Sequence, residues 1–274
     1  MSFLEKLAAS SRARDSILCV GLDPEPDRIP ESLGHGPQAA ISFLRRVIRA
    51  TSDFACAYKP NLAFYERYGT AAFEVLGNAL QSIPDGIPVI LDAKRGDVPN
   101  TSEAYADALF DAFHADAATV TPYVGMDSIA PFARGDRYAL VLARTSNPGA
   151  RDLQDLKLDG RPLYEHVVSQ CVAAFPAARA GFVIGATYPD EARRLRALAP
   201  DRLFLMPGVG AQGADIATTI RAGLDANGGG VLPSASRSVI FASSGADFER
   251  AAADAAGALR DAANVARATA SERR

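Results

Sequence analysis

Two acids and a lysine stand close together in Asp92-Ala93-Lys94-Arg95-Gly96-Asp97, directly after the apolar run Ile87-Pro88-Val89-Ile90-Leu91. The run has the length and branched composition of a buried strand. Pro99 and the helix-forming residues 100–113 mark a helix start, with Asn100 or Thr101 as candidate cap. The charges therefore fall where a strand ends and its loop begins. Alternation along a strand puts Asp92 and Lys94 on one face and turns Ala93 away, and Gly96 lets the loop turn sharply and bring Asp97 back towards the pair. Taking two carboxylates and an ammonium out of water together is costly, which favours a chemical purpose for the group. An ammonium fixed among carboxylates can stabilise negative charge developing on a substrate. The competing reading is a surface ion pair beside an ordinary strand–helix loop.

The elements that must position these groups alternate along the chain. After a short amphipathic helix at 3–9, strands are expected at 17–24, ending in the acid Asp23, and at 54–61, ending in Lys59, then at 87–91, 117–121, 138–142, 181–185, 203–206 and 238–241. Helical periodicity occupies 37–51, 71–80, 163–175, 191–198 and 248–268. Eight strands alternating with helices over this length predict an α/β fold of the (β/α)₈ TIM-barrel type, one domain over 1–274. No sequence repeat or interdomain linker interrupts it. Asp23, Lys59, Asp92, Lys94 and Ser146 all sit at or just beyond expected strand ends, which in a barrel converge on one mouth.

Composition narrows the function classes. At 48% hydrophobic residues the chain can bury a large core, and a formal charge of −3 with no Lys/Arg block gives no reason to expect nucleic acid or an anionic membrane. No apolar stretch approaches the roughly 20 residues of a membrane helix, and the polar N-terminus has no signal-peptide pattern. Cys19, Cys56 and Cys171 are odd in number and widely spaced, which reads as buried thiols in a reducing cytosol; the expected location is cytoplasmic. Neither CxxC nor HExxH proposes a metal site. His35, His114 and His166 lie away from strand ends, an unfavourable basis for histidine acid–base catalysis.

Pro207-Gly208-Val209-Gly210-Ala211-Gln212-Gly213 leaves the seventh strand and opens a helix. It contains a G-x-G-x-x-G, but only one strand follows and no acid ends that strand to hold a ribose, so a dinucleotide fingerprint is the weaker reading. Glycines at a helix N-terminus expose backbone N–H groups to an anion, and barrels often bind phosphate after strands seven and eight. Gln212 can add a neutral donor, and Arg237, entering the expected eighth strand, a charged contact. The alternative is a glycine-rich cap and a solvated arginine. Residues 145–162 are too long for an ordinary connection and read as a lid candidate. Asn227-Gly228-Gly229-Gly230, in the stretch 222–236, is either a second closing segment or a surface insertion.

Asp92-x-Lys94-x-x-Asp97 with Thr101 following resembles the signature of the orotidine 5′-monophosphate decarboxylase family. The match extends through Gly21-Leu22-Asp23-Pro24, Lys59-Pro60-Asn61, Thr145-Ser146-Asn147-Pro148-Gly149, the glycine-rich loop with Gln212, and Ser236-Arg237, in order over nearly the whole chain. It is similar to the longer bacterial subgroup. Ser234 is a local departure, where Asn is the expected residue. The resemblance implies a homodimeric (β/α)₈ barrel with no metal and no organic cofactor, acting on a small-molecule nucleotide. It implies that Lys94 protonates carbon 6 of the pyrimidine, that Asp92 lies beside the departing carboxylate, and that Lys59 orders the charges and touches the ribose. Asp97 and Thr101 would reach into the neighbouring subunit's site, so that active sites are shared. Asp23 would hold a ribose hydroxyl, Ser146 would read the pyrimidine edge, and Gln212 with Arg237 would grip the phosphate.

Loss of CO₂ from such a substrate leaves a carbanion-like centre, and the required barrier reduction is about 20 kcal/mol. A preorganised ammonium aimed at that charge is the plausible agent. A sister activity, a metal-dependent sugar-phosphate decarboxylase or hexulose-phosphate synthase, shares the DxKxxD pattern. A non-catalytic phosphate-binding barrel is the third class, and the intact Asp92, Lys94 and Asp97 argue against it.

Overall fold

A computed structural model of the chain describes residues 1–209 and 215–271. Among them, eight parallel strands form one sheet: β1 (Cys19–Gly21), β2 (Ala57–Lys59), β3 (Ile90–Arg95), β4 (Ala117–Val120), β5 (Ala139–Arg144), β6 (Ala180–Ile184), β7 (Phe204–Pro207) and β8 (Val231–Ala235). Each pairs with its sequence neighbour, and β8 returns to β1 with Cys19 opposite Ser234. Between β2 and β3 the contact is reduced to two parallel bridges, Tyr58 with Val89 and Asn61 with Asp92. Asp92 donates its N–H to the Pro60 carbonyl at 2.9 Å, so the acid singled out above lies on the seam that closes the barrel.

Two layers of apolar side chains follow from strand alternation. Cys19, Ile90, Ala117, Leu140, Leu205 and Leu232 point into the barrel, whereas Val20, Leu91, Ala118 and Val141 point out against the helices. The first helix, α1 (Phe3–Arg14), is longer than its periodicity predicts and starts in a capping box between Ser2 and Glu5. It presses Phe3 and Leu7 into the inner layer, with the Phe3 ring 4.9 Å from that of Tyr138. The end of the barrel opposite the mouth is thus closed by apolar packing. Helix α2 (Gly36–Thr51) buries Ala40, Phe43, Leu44, Val47 and Ile48, the i, i+3, i+4 stripe expected from the sequence. The last helix (Phe248–Ser271) packs on it, Phe248 meeting Phe43 at 5.5 Å. No described helix is long and apolar enough to cross a membrane.

Several expectations are corrected. The eighth strand is Val231–Ala235, not 238–241; Arg237–Ile240 is a short helix beyond it. Arg237 therefore follows the strand instead of entering it, which still leaves it on the mouth side. Gly228–Gly230 lead into the N-terminal end of β8, on the far side from the mouth, and the strand after them is buried, so 222–236 is not a closing segment. Residues 145–162 are ordered by a 3₁₀ helix (Pro148–Asp152) and a small antiparallel pair, Lys157–Leu158 with Arg161–Pro162. Neither Asn100 nor Thr101 caps the helix Pro99–Asp107: Val98 occupies the cap position without a side-chain bond, and Pro99 stands in its first turn.

Candidate active site

Asp92 is the centre of the mouth. Its Oδ2 accepts from Lys59 Nζ at 2.9 Å, and its Oδ1 accepts from Lys94 Nζ at 2.6 Å and from Thr119 Oγ1 at 2.8 Å. The two lysines differ in setting: the Lys59 side chain is 7% exposed and that of Lys94 48%. Asp23, buried at the end of β1, accepts from the Asn61 N–H at 3.2 Å and adds a second negative charge near Lys59. Burial alone would push the Asp92 carboxyl up, but Lys59 and Lys94 outweigh it and hold that carboxyl well below the usual carboxylate range. Burial likewise opposes the Lys59 ammonium, and Asp92 and Asp23 overcome it, holding it above the ordinary lysine range. Asp92 and Lys59 are therefore both ionised at neutral pH.

Lys94 carries an unusual backbone. Its φ is 47°, in the left-handed region, which costs a side-chain-bearing residue about 1 kcal/mol. Its N–H is tied to Thr119 Oγ1 at 3.0 Å. Thr119 thus fixes both the strained backbone of Lys94 and the carboxylate facing its ammonium. The sequence reading missed it; the signal was a polar residue inside the otherwise apolar strand Ala117–Val120. Gly96 has a different purpose from the one expected. No positive φ is found there, and a Cβ at Gly96 would stand 2.6 Å from Thr121 Cγ2 and 2.7 Å from its carbonyl oxygen. Close approach of two strands, rather than a sharp turn, requires the glycine.

A cavity of about 530 Å³ opens above the array, lined by Lys59, Asp92, Lys94, Thr119 and Ser146, with Gly185 at its wall. Ser146 is drawn in because Gly185 has no side chain: a Cβ there would lie 3.0 Å from Ser146 Cβ. On the opposite side Gly21 meets Ser236, whose Cβ would be 2.6 Å from a Cβ at Gly21, and this contact sets Arg237 beside the end of β1. Arg237 is exposed and opens the short helix after β8. Gln212 lies outside the described residues.

Asp97 and Thr101 do not join the array within one chain. The Asp97 carboxylate accepts from the N–H of Val98 at 2.7 Å, and its backbone is bound at both N–H and carbonyl by Ser102 Oγ. Contrary to expectation, no bond joins Asp97 to Lys94 among the described residues; Val98 and Ser102 take up its carboxylate and backbone instead. Thr101 sits half-buried in the first turn of the following helix and donates its N–H to the Val98 carbonyl.

A barrel with a Lys–Asp–Lys array at its mouth narrows the field, and comparison with known proteins decides the family. Residues 16–253 match the family described as Orotidine 5′-phosphate decarboxylase / HUMPS. The chain belongs to this family. It is 46% identical over 255 residues to the orotidine 5′-phosphate decarboxylase of Cupriavidus necator, covering 92% of this chain and 94% of that one. With the orotidine 5′-phosphate decarboxylase of Cellvibrio japonicus the identity is 44% over 274 residues, 98% and 100% of the two chains. The solved structure of Leishmania donovani OMP decarboxylase superposes with a TM-score of 0.86 at 38% identity, over 97% of this chain and 99% of that one. In this decarboxylase-family barrel the DxKxxD stretch is therefore the end of β3 and its loop, as the sequence indicated.

Proposed function

We propose that the chain converts orotidine 5′-monophosphate to uridine 5′-monophosphate and CO₂, with no metal or organic cofactor in the reaction. The observation that carries this is the Lys94 ammonium, 2.6 Å from Asp92 and facing the cavity that Ser146 also lines. The bond from carbon 6 to the carboxylate breaks, its electron pair stays on carbon 6, and Lys94 Nζ delivers a proton there. The resulting amine regains a proton from solvent, so one proton is consumed per CO₂ released. Stabilisation comes from a charge already in place, since Asp92 and Thr119 fix the Lys94 side chain and backbone before substrate arrives. Asp92 also faces the departing carboxylate, and their repulsion is a secondary contribution. Ser146 contacts the pyrimidine edge, Asp23 and Lys59 the ribose, and Arg237 with Gln212 the phosphate, whose binding energy helps assemble the site.

The working unit in this proposal is a homodimer with shared sites. Asp97 and Thr101 make no bond to their own array among the described residues, and Val98, Tyr105, Tyr123 and Val124 are exposed apolar or aromatic side chains. A second barrel laid on this surface would cover them and bring Asp97 and Thr101 to the neighbouring Lys94. The buried free thiols Cys19, Cys56 and Cys171 support a reducing compartment such as the cytoplasm.

The deciding measurement is the loss of ultraviolet absorbance of orotidine monophosphate in the presence of a strong chelator. Turnover unaffected by chelator is expected; turnover that requires a divalent ion assigns the chain to the sister metal-dependent activities instead.

A further inference from the structure

Arg144, at the end of β5, is 2% exposed and occupies a place where a charge is costly. Both of its side-chain acceptors belong to the segment 145–162 that follows it. Nη1 donates to Gln154 Oε1 at 3.1 Å, and Nη2 lies 3.2 Å from Asp155 Oδ1. The guanidinium is stacked 4.1 Å from the ring centroid of Tyr188, which precedes the helix Pro189–Leu198, and 5.7 Å from that of Tyr164. It is thus anchored to the barrel by two aromatic rings and to the loop by two polar groups.

Gln154 transmits that anchorage to the residues on either side of Ser146. Its Oε1 also accepts the N–H of Thr145 at 2.9 Å, and its Nε2 donates to Thr145 Oγ1 at 2.8 Å. Thr145 Oγ1 donates in turn to Asn147 Oδ1 at 2.7 Å. Ser146 is held between two pinned neighbours, its backbone pressed on Gly185, and among the described residues nothing takes up its hydroxyl. Arg144 and Gln154 both line the cavity with Ser146.

We infer that Arg144 and Gln154 are positioning residues that hold the Ser146 hydroxyl towards the pyrimidine edge, selecting a base-bearing ligand over a bare sugar phosphate. This rests on the assignment of Ser146 to that edge. A bond network that pins both neighbours of Ser146 and leaves its hydroxyl unspent fixes the donor before the base enters, so little ordering entropy is lost on binding.

The test compares inhibition constants of uridine monophosphate and ribose 5-phosphate for the intact enzyme, Gln154→Leu, Ser146→Ala and the double variant, each checked for folding by circular dichroism. Gln154→Leu is expected to weaken uridine monophosphate about tenfold, to leave ribose 5-phosphate unchanged, and to add less than about twofold once Ser146 is alanine. Arg144→Lys, which keeps the charge but loses the planar fork, should show the same pattern and provides a second reading of the anchor. The same loss in both backgrounds, equal weakening of both ligands, or no loss at all overturns the inference while leaving Ser146 in place. Wild-type affinity of Ser146→Ala for uridine monophosphate removes the base-edge assignment and this inference with it.

Discussion

Lys59 Nζ and Asp92 Oδ2 meet at 2.9 Å across the seam between β2 and β3, where the sheet is held by only two bridges. The ion pair therefore does two jobs at one place: it joins the strands that close the barrel, and it fixes the carboxylate that holds Lys94. Breaking it should be felt in stability and chemistry together.

Replacement of Lys94 by alanine separates binding from chemistry. Lys94→Ala should lower kcat by several orders of magnitude, because the proton donor is gone, while uridine monophosphate still binds through phosphate and ribose contacts. Stopped ultraviolet assays and calorimetric titration measure the two quantities; near-wild-type turnover would remove Lys94 from the mechanism.

Asp92→Asn should destabilise the fold by about 3 kcal/mol near neutral pH, since it leaves the buried Lys59 without its partner. The folded Asp92 carboxyl is depressed, so its contribution is complete above its unfolded pKa of about 4 and is lost as pH falls through the lower folded value. The Lys59 ammonium is raised, so its contribution is complete below its unfolded pKa of about 10.4 and is lost as pH rises through the higher folded value. Urea unfolding of both proteins should give a constant difference from about pH 5 to 9 that narrows below about pH 4. A difference that narrows instead between pH 5 and 7 would contradict this assignment.

Gly21→Ala puts a methyl group 2.6 Å from Ser236 Cβ, and Ser236 carries Arg237. KM should rise about tenfold with a smaller change in kcat, and affinity for ribose 5-phosphate should fall in parallel. If phosphate-ligand affinity is unchanged, the contact does not position Arg237.

Subunit mixing tests the shared site. Asp92→Ala and Asp97→Ala proteins, each inactive, should regain up to about a quarter of wild-type activity when co-refolded, because some hybrid dimers assemble one intact site. Wholly inactive mixtures, with dimers verified by light scattering, would mean that each barrel works alone.

Local sequence determined much of this protein. Alternation along β3 was enough to put Asp92 and Lys94 on one face, and 3.6-residue periodicity gave the helix Gly36–Thr51 to within a residue. Strand ends carrying Asp23, Lys59 and Ser146 were legible because a barrel sends all such ends to one mouth. The eighth strand was misplaced because Pro233 lies inside Val231–Ala235, whereas Val239-Ile240-Phe241 forms an uninterrupted apolar run; only pairing with both β7 and β1 selects the former. Tertiary structure alone decided the rest. Thr119 becomes the support of Lys94, Gly96 and Gly185 become points of close approach, and Arg144 becomes the anchor of the Ser146 loop, each through a partner on a strand or loop distant in the chain. The setting of Asp97 is local by contrast: Ser102, five residues on, binds its backbone N–H and carbonyl, and the sequence reading gave that serine no part. Periodicity records which face of an element is apolar, a property of nearest neighbours along the chain. A contact between two elements depends on how they are brought together, and no short stretch of sequence contains that.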